Sequence, residues 1–271
     1  MNNLVFGKYI PIDSIIHKLD PRIKIITLIV MLVAIFVPDS WYCYLALFIF
    51  EFIILILSKI RFKMILSAFK PMIFMVILLT VINCLTLRTG NVLFSIGSFS
   101  IYSDAIFNTL FIIVRLFLMI ILTTILTATT KPLDLTLGIE YLLKPLTKIG
   151  FPSHEIAMMI SIALRFIPII IEETMRIMQS QKSRGVDFDE GKFSEKIKAI
   201  LSLIIPLFSV AFERAYELAD AMEARGYVPD KPRTRYRTLT FHYYDFIYLM
   251  FAVCLLAFSI WTKVALWDIK L

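Results

Sequence analysis

Apolar residues in this chain fall into long blocks separated by short polar seams, and the blocks have the length of membrane-crossing helices. Residues 1–24 are polar and mixed and end in Asp20-Pro21, an N-cap acceptor followed by proline at the first helical position, so a helix is predicted to start there. Residues 25–37 are apolar and, with their flanks, approach the roughly 20 residues a spanning helix needs. Pro38-Asp39-Ser40 turn the chain. Residues 41–57 form a second span, interrupted by Glu51, which runs into Lys59, Arg61, Lys63 and Lys70 with no acid among them. Pro71 opens a third span to about Leu87, and 88–103 is a glycine- and serine-containing outer loop. The return span covers about 104–129 with Arg115 inside it, and the last span about 243–261.

Between the return span and the last one the pattern changes. Residues 131–240 hold 16 of the chain's 28 Lys and Arg, and their apolar runs are short: 156–171, which contains Arg165 and Pro168, and 199–212. Both fall below the spanning length. A membrane hairpin made of these runs would carry 172–198, with six Lys and Arg, to the outer face, against the preference of cationic loops for the cytoplasm. Long helices that begin at the inner leaflet and emerge into the cytoplasm fit better. A shorter interfacial helix starts at Thr130-Lys131-Pro132-Leu133-Asp134, and a basic run at 231–237 precedes the last span, where it would meet anionic headgroups. The expectation is an all-α polytopic membrane protein of about five transmembrane helices with long cytoplasmic coupling helices. Its regions are 1–130 (four spans), 131–240 (coupling segment) and 241–271 (last span), with the N-terminus and coupling segment cytoplasmic and the C-terminus outside.

Both long runs of the coupling segment close in the same way, with Ser183-Arg184-Gly185 and with Ala224-Arg225-Gly226. Glycine suits the left-handed residue that ends a helix, and an arginine in the last turn is favoured by the helix dipole. Arg184 and Arg225 are therefore predicted to project from helix tips. The runs feeding them match as well: each carries a proline (Pro168, Pro206) and a glutamate (Glu172, Glu213) twelve residues before its arginine.

Composition narrows the function classes. A mean hydropathy of +0.82 with 59% apolar residues excludes an ordinary soluble domain. The formal charge of +7 is explained by cations gathered on the cytoplasmic side, and no nucleic-acid partner is expected. Cys43, Cys84 and Cys254 are isolated in apolar runs and read as small hydrophobes. Residues 185–192 mimic a phosphate-binding loop but have five residues between the glycines, Phe193 in place of Ser or Thr, and three acids. His154-Glu155 begins a zinc-protease-like motif that Met158 and Met159 break. Asp187, Asp189 and Glu190 lack calcium-loop spacing. No catalytic constellation, metal site or cofactor is expected. Arg115 is costly inside a span, and its plainest use is a structural pairing, for example with Glu51.

The segments His17-Lys18-Leu19-Asp20-Pro21-Arg22-Ile23-Lys24, Thr129-Thr130-Lys131-Pro132-Leu133-Asp134-Leu135 and Arg165-Phe166-Ile167-Pro168, with the two Arg-Gly endings, resemble the T component of energy-coupling factor transporters over nearly the whole chain. Ser183 stands where that family usually has alanine. The resemblance implies a non-catalytic membrane scaffold joining two ABC-type ATPase subunits to a substrate-binding membrane S component that takes up a vitamin or similar micronutrient. In that reading Arg184 and Arg225, with their Ser183, Gly185, Ala224 and Gly226 neighbours, enter grooves on the ATPases. Arg165, Pro168, Glu172, Pro206, Glu213 and Arg115 support coupling or structure. The alternatives are a membrane-embedded enzyme using Arg115, Glu51, Arg165 and Glu172, and a channel with Arg115 in its pore.

Overall fold

A computed structural model of the protein describes residues 9–38, 40–87, 89–96, 99–150, 152–188, 192–228 and 239–270. The basic run at 231–237, Asp189, Glu190 and Leu271 fall outside the described residues. The chain divides into two compact units, 1–153 with 239–271 and 154–238.

The first unit begins with a short helix α1 (Ile15–Lys18), followed by α2 (Pro21–Phe36), which starts at the predicted cap: Asp20 accepts from the Arg22 N–H and Pro21 occupies the first turn. Helix α3 (Trp41–Ser58) ends on Lys59 in the left-handed region at φ 56°. Helix α4 (Phe62–Phe69) continues through a 3-10 turn at Lys70–Met72 into α5 (Ile73–Thr86). Then come α6 (Ser103–Thr129), α7 (Pro132–Leu143) and a 3-10 stretch at Lys144–Ile149, and the unit closes with α10 (Tyr243–Lys270). Helix α2 packs on α10, α6 and α7, while α3 packs on α6 and α10. Two apolar clusters fill the interior, one around Met31, Leu47, Leu118 and Ala252 and one around Ile54, Ile65, Ile121 and Ile125. Many outward residues are large and apolar, Phe74 at 77% exposure and Leu45 at 62% among them, as lipid-facing positions require.

Three expectations change. Pro71 does not open the third span; it sits in the 3-10 turn of a helical run, 62–86, that already starts at Phe62. A proline needs no N–H partner in a new turn, so it is absorbed where the helix tightens. The predicted outer loop contains a small antiparallel hairpin, β1 (Val92–Ile96) and β2 (Phe99–Tyr102), with Ile96 opposite Phe99, so the all-α fold carries one two-stranded exception. Among the described residues five helices are long and apolar enough to cross a membrane, as expected in number, but their identity differs: α8 qualifies and α2, with 16 residues, does not.

The second unit consists of α8 (Ser153–Ser183, of which 154–183 lies in this unit) and α9 (Phe193–Ala224). The apolar runs at 156–171 and 199–212 are thus only parts of helices of 31 and 32 residues. Both helices pass through their prolines, Pro168 and Pro206. Their exposed residues include Met159, Ile205, Phe208 and Phe212.

Candidate functional site

The two arginine endings are superposable in their hydrogen bonding. At the end of α8 the Gly185 N–H donates to the Lys182 carbonyl (3.0 Å) and the Val186 N–H to the Gln181 carbonyl (3.1 Å). At the end of α9 the Gly226 N–H donates to Glu223 (2.8 Å) and the Tyr227 N–H to Met222 (3.0 Å). Each is a Schellman motif, closed by glycine at φ +86° and +73°. No atom lies within 4 Å of a Cβ built on either glycine, so the torsion, and not crowding, selects the residue. Arg184 and Arg225 are the cap residues themselves, both exposed, flanked by exposed Ser183 and Ala224. Among the described residues neither arginine has a side-chain partner. The sequence-predicted tips are therefore two rigid, identically capped cations at the ends of long helices.

Glu172 and Glu213 are exposed on the same helices. Twelve residues at 1.5 Å each put them about 18 Å from their arginines, too far to neutralise them. Among the described residues of these helices, ion pairs join Arg176 to Glu173 (3.3 Å) and Arg214 to Glu217 (3.0 Å), both i,i+3 pairs of small energetic weight. Arg165 and Pro168 are exposed on α8.

Pro206 has a role that the sequence analysis left undefined. A proline cannot donate to the carbonyl four residues back, so the carbonyl of Ser202 is freed. Gln181, in the last turn of α8, fills the gap: its Nε2 donates to that carbonyl at 3.2 Å. The Gln181 carbonyl is also the acceptor that closes the α8 cap. One residue thus connects the Arg184 tip to the proline step of α9. Gln181→Leu is expected to weaken this unit by about 1 kcal/mol, the net value of one hydrogen bond. In a double-mutant cycle read by hydrogen exchange, the loss should shrink in a Pro206→Ala background, where the helix supplies its own N–H.

Arg115 does not pair with Glu51. Its Nη2 donates to the Tyr44 hydroxyl at 2.8 Å, and its guanidinium lies over the Phe36 ring at 5.3 Å. Tyr44 is seven residues from Glu51 along α3, about 10.5 Å, so Arg115 and Glu51 sit about two helical turns apart in depth. Arg115 and Glu51 lie in the first unit, Arg165 and Glu172 in the second.

A buried polar node in the first unit joins motifs that are far apart in sequence. Lys24 Nζ donates to the Thr129 carbonyl (3.1 Å) and to Thr130 Oγ1 (3.2 Å), placing a cation at the C-terminus of α6. The Asp20 N–H donates to Asp245 Oδ1 (2.8 Å), and Asp245 Oδ2 accepts from the His242 N–H (2.7 Å). Arg22 lies between the rings of Tyr141 (4.0 Å) and Phe241 (4.5 Å) and donates to the Leu239 carbonyl (2.9 Å). Gly138 allows α7 this close: a Cβ there would stand 3.1 Å from Ile25 Cδ1. Burial pushes the Asp20 carboxyl above its ordinary value, against the Arg22 N–H and guanidinium, which pull it down. At the N-terminal edge, Ser14 caps α1, and neutral His17 is held by Ser14 Oγ (2.7 Å) and by donating Nε2–H to the Ile10 carbonyl (3.0 Å). The Ile10 carbonyl can only accept, which fixes the tautomer.

A family model described as CbiQ, cobalt transport protein, matches residues 13–236. The energy-coupling factor transporter transmembrane protein EcfT of Bacillus subtilis is 42% identical over 239 residues, covering 88% of this chain and 90% of the relative. Its counterpart in Macrococcus caseolyticus is 41% identical over 250 residues, with 92% and 94% covered. That of Lactococcus lactis subsp. cremoris is 40% identical over 266 residues, with 98% and 100% covered.

Proposed function

The chain belongs to the CbiQ family and, within it, to the transmembrane proteins of energy-coupling factor transporters, and on that premise we propose that it couples two ABC-type ATPase subunits to a substrate-binding membrane S component. It is a membrane protein and a transporter subunit. The chain performs no covalent chemistry of its own; the ATPases supply the work, and α8 and α9 carry it. The observation that supports this most is the pair of identically capped, exposed arginines. A guanidinium fork on a rigid helix end fixes both the direction and the attraction of a bidentate contact with a carboxylate, which is what a load-transmitting anchor requires.

The regions follow the same logic. Residues 1–130 and 241–271 form the membrane body and 131–240 the coupling segment, whose Ser183-Arg184-Gly185 and Ala224-Arg225-Gly226 ends meet the ATPases. Arg165, Pro168, Glu172, Pro206 and Glu213 shape the two helices, and Arg115 anchors the body through Tyr44. The concentration of Lys and Arg in 131–240 supports a cytoplasmic position for this segment and for the N-terminus, in the plasma membrane. The S component would deliver a vitamin or similar micronutrient.

The test is reconstitution in vesicles. The chain alone should neither bind nor hydrolyse ATP, while with the ATPase pair and an S component it should support uptake. A single cysteine at Phe188 should react with an impermeant reagent only from the cytoplasmic face, and a tag after Leu271 should be reachable only from outside. Turnover of ATP by the chain alone, or outside labelling at Phe188, overturns the reading.

A further inference from the structure

Four helices of the first unit enclose a polar layer that the coupling role leaves unused. Helices α2 and α3 each pack on both α6 and α10, so they face one another across a four-helix ring. Met31 of α2 and Leu47 of α3 meet in one apolar cluster with Leu118, Leu122 and Ala252. Thr27 precedes Met31 by one turn and Glu51 follows Leu47 by one turn. The short connection between α2 and α3 makes them run in opposite directions, which puts Thr27 and Glu51 on the same side of that cluster. Both are fully buried, at 0% exposure.

Neither carboxyl oxygen of Glu51 has a hydrogen-bond partner among the described residues, and the Thr27 hydroxyl has none either. Thr27 is unusual in this respect. Thr109, Thr123, Thr127 and Thr136 each donate to the carbonyl four residues back, the ordinary resting place of a helical threonine. Thr27 leaves that bond unmade while buried. On the third side stands Tyr248 of α10, one turn before Ala252 and so on the same side of the cluster, its ring stacked on Phe50 at 6.3 Å.

Four titratable groups of the surrounding helices are engaged elsewhere, the first being His17 of α1, bound to Ser14 and to the Ile10 carbonyl. Lys24 of α2 is bound to Thr129 and Thr130, Asp245 of α10 to backbone N–H groups, and Arg115 of α6 to Tyr44. At the level of Glu51, α6 offers Leu118, Leu122 and Ile125, with no titratable group. An ionised carboxylate in this place would be an unpaired charge in a lipid-embedded core, and a bare acid would still leave its O–H and C=O unmet. Orphaned buried polar atoms on two sides, with a half-buried phenol on the third, are the setting in which an internal water is held.

We propose that Glu51, Thr27 and Tyr248 form an internal site for one proton and one bound water. Glu51 carries the proton, and the water links its carboxyl to the Thr27 hydroxyl and the Tyr248 phenol. The proton comes from solvent; one O–H bond forms and none breaks in the protein.

Infrared difference spectroscopy on the full chain, in lipid with its partner subunits, tests this. A carboxylic-acid C=O band should be present at neutral pH, vanish in Glu51→Gln, and shift in both Thr27→Val and Tyr248→Phe. A water O–H band sensitive to oxygen-isotope exchange should be lost in Thr27→Val. Should Glu51→Gln fail to fold, isotope-labelled glutamate in the parent chain must still move the acid band. Absence of that band at neutral pH, or a band that neither Thr27→Val nor Tyr248→Phe displaces, overturns the site.

Discussion

Replacing Arg184 and Arg225 together by alanine is expected to abolish ATPase capture and uptake while leaving the chain folded and inserted in the membrane. Both arginines are exposed helix caps with no side-chain partner among the described residues, so their removal costs the isolated chain little. The Schellman bonds run through backbone and glycine and survive the change. In a complex the balance differs, because truncating one member of a buried interfacial charge pair costs about 2–5 kcal/mol, roughly thirtyfold to several thousandfold in affinity. Each single variant should weaken capture by that order, and the double variant should approach complete loss. Lysine should rescue poorly at either position, since it restores the charge without the planar fork. Pull-down of the ATPase subunits and vesicle uptake are the measurements. If the double alanine variant holds its partners and transports like the parent, the two tips are ordinary helix ends and the proposed coupling is wrong.

What could be read from the sequence was the chemistry that acts over a few residues. Asp20-Pro21 starts α2, and Gly185 and Gly226 end α8 and α9, because caps are local bargains between a side chain or a torsion and the nearest orphaned backbone groups. Span boundaries were less legible. A proline reads as a start, yet Pro71 is accommodated inside a helical run; the apolar run 156–171 reads as too short for a span, yet the helix that contains it is long and apolar enough to cross a membrane. Pairing across the bundle was legible only in part. The sequence shows that Arg115 and Glu51 lie within spans, but their relative depth is fixed by the register of α3 against α6, which no local pattern records. Gln181 could have been found: Pro206 announces a free carbonyl at Ser202, and a glutamine at the end of the neighbouring helix is a suitable donor.

The least legible feature is the node around Asp245, and it carries the second large expected effect. Asp245 is 1% exposed and accepts from two backbone N–H groups, one of them 225 residues away, at the cap of α2. Asp245→Ala strands the Asp20 N–H in the interior, at a cost of about 1–3 kcal/mol, and removes the net value of about 1 kcal/mol of the bond from the exposed His242 N–H. The variant should therefore lose about 2–4 kcal/mol, a large part of the margin of an ordinary domain. Asparagine keeps one acceptor oxygen and should fall between the parent and alanine. The pH dependence separates geometry from charge. For Asp20 the folded value lies above the unfolded one, so the folded chain holds the extra proton between the two, and stability from this group falls as pH rises through the window above 3.8. Burial is the main cause of that rise and the negative charge of Asp245 adds to it. Asp245→Asn should consequently narrow the window from its upper end. Thermal unfolding in detergent across acid to neutral pH, compared for the parent, Asp245→Asn and Asp245→Ala, reads both effects. An alanine variant as stable as the parent would mean that α10 is held to α2 by apolar packing alone and that the node is incidental.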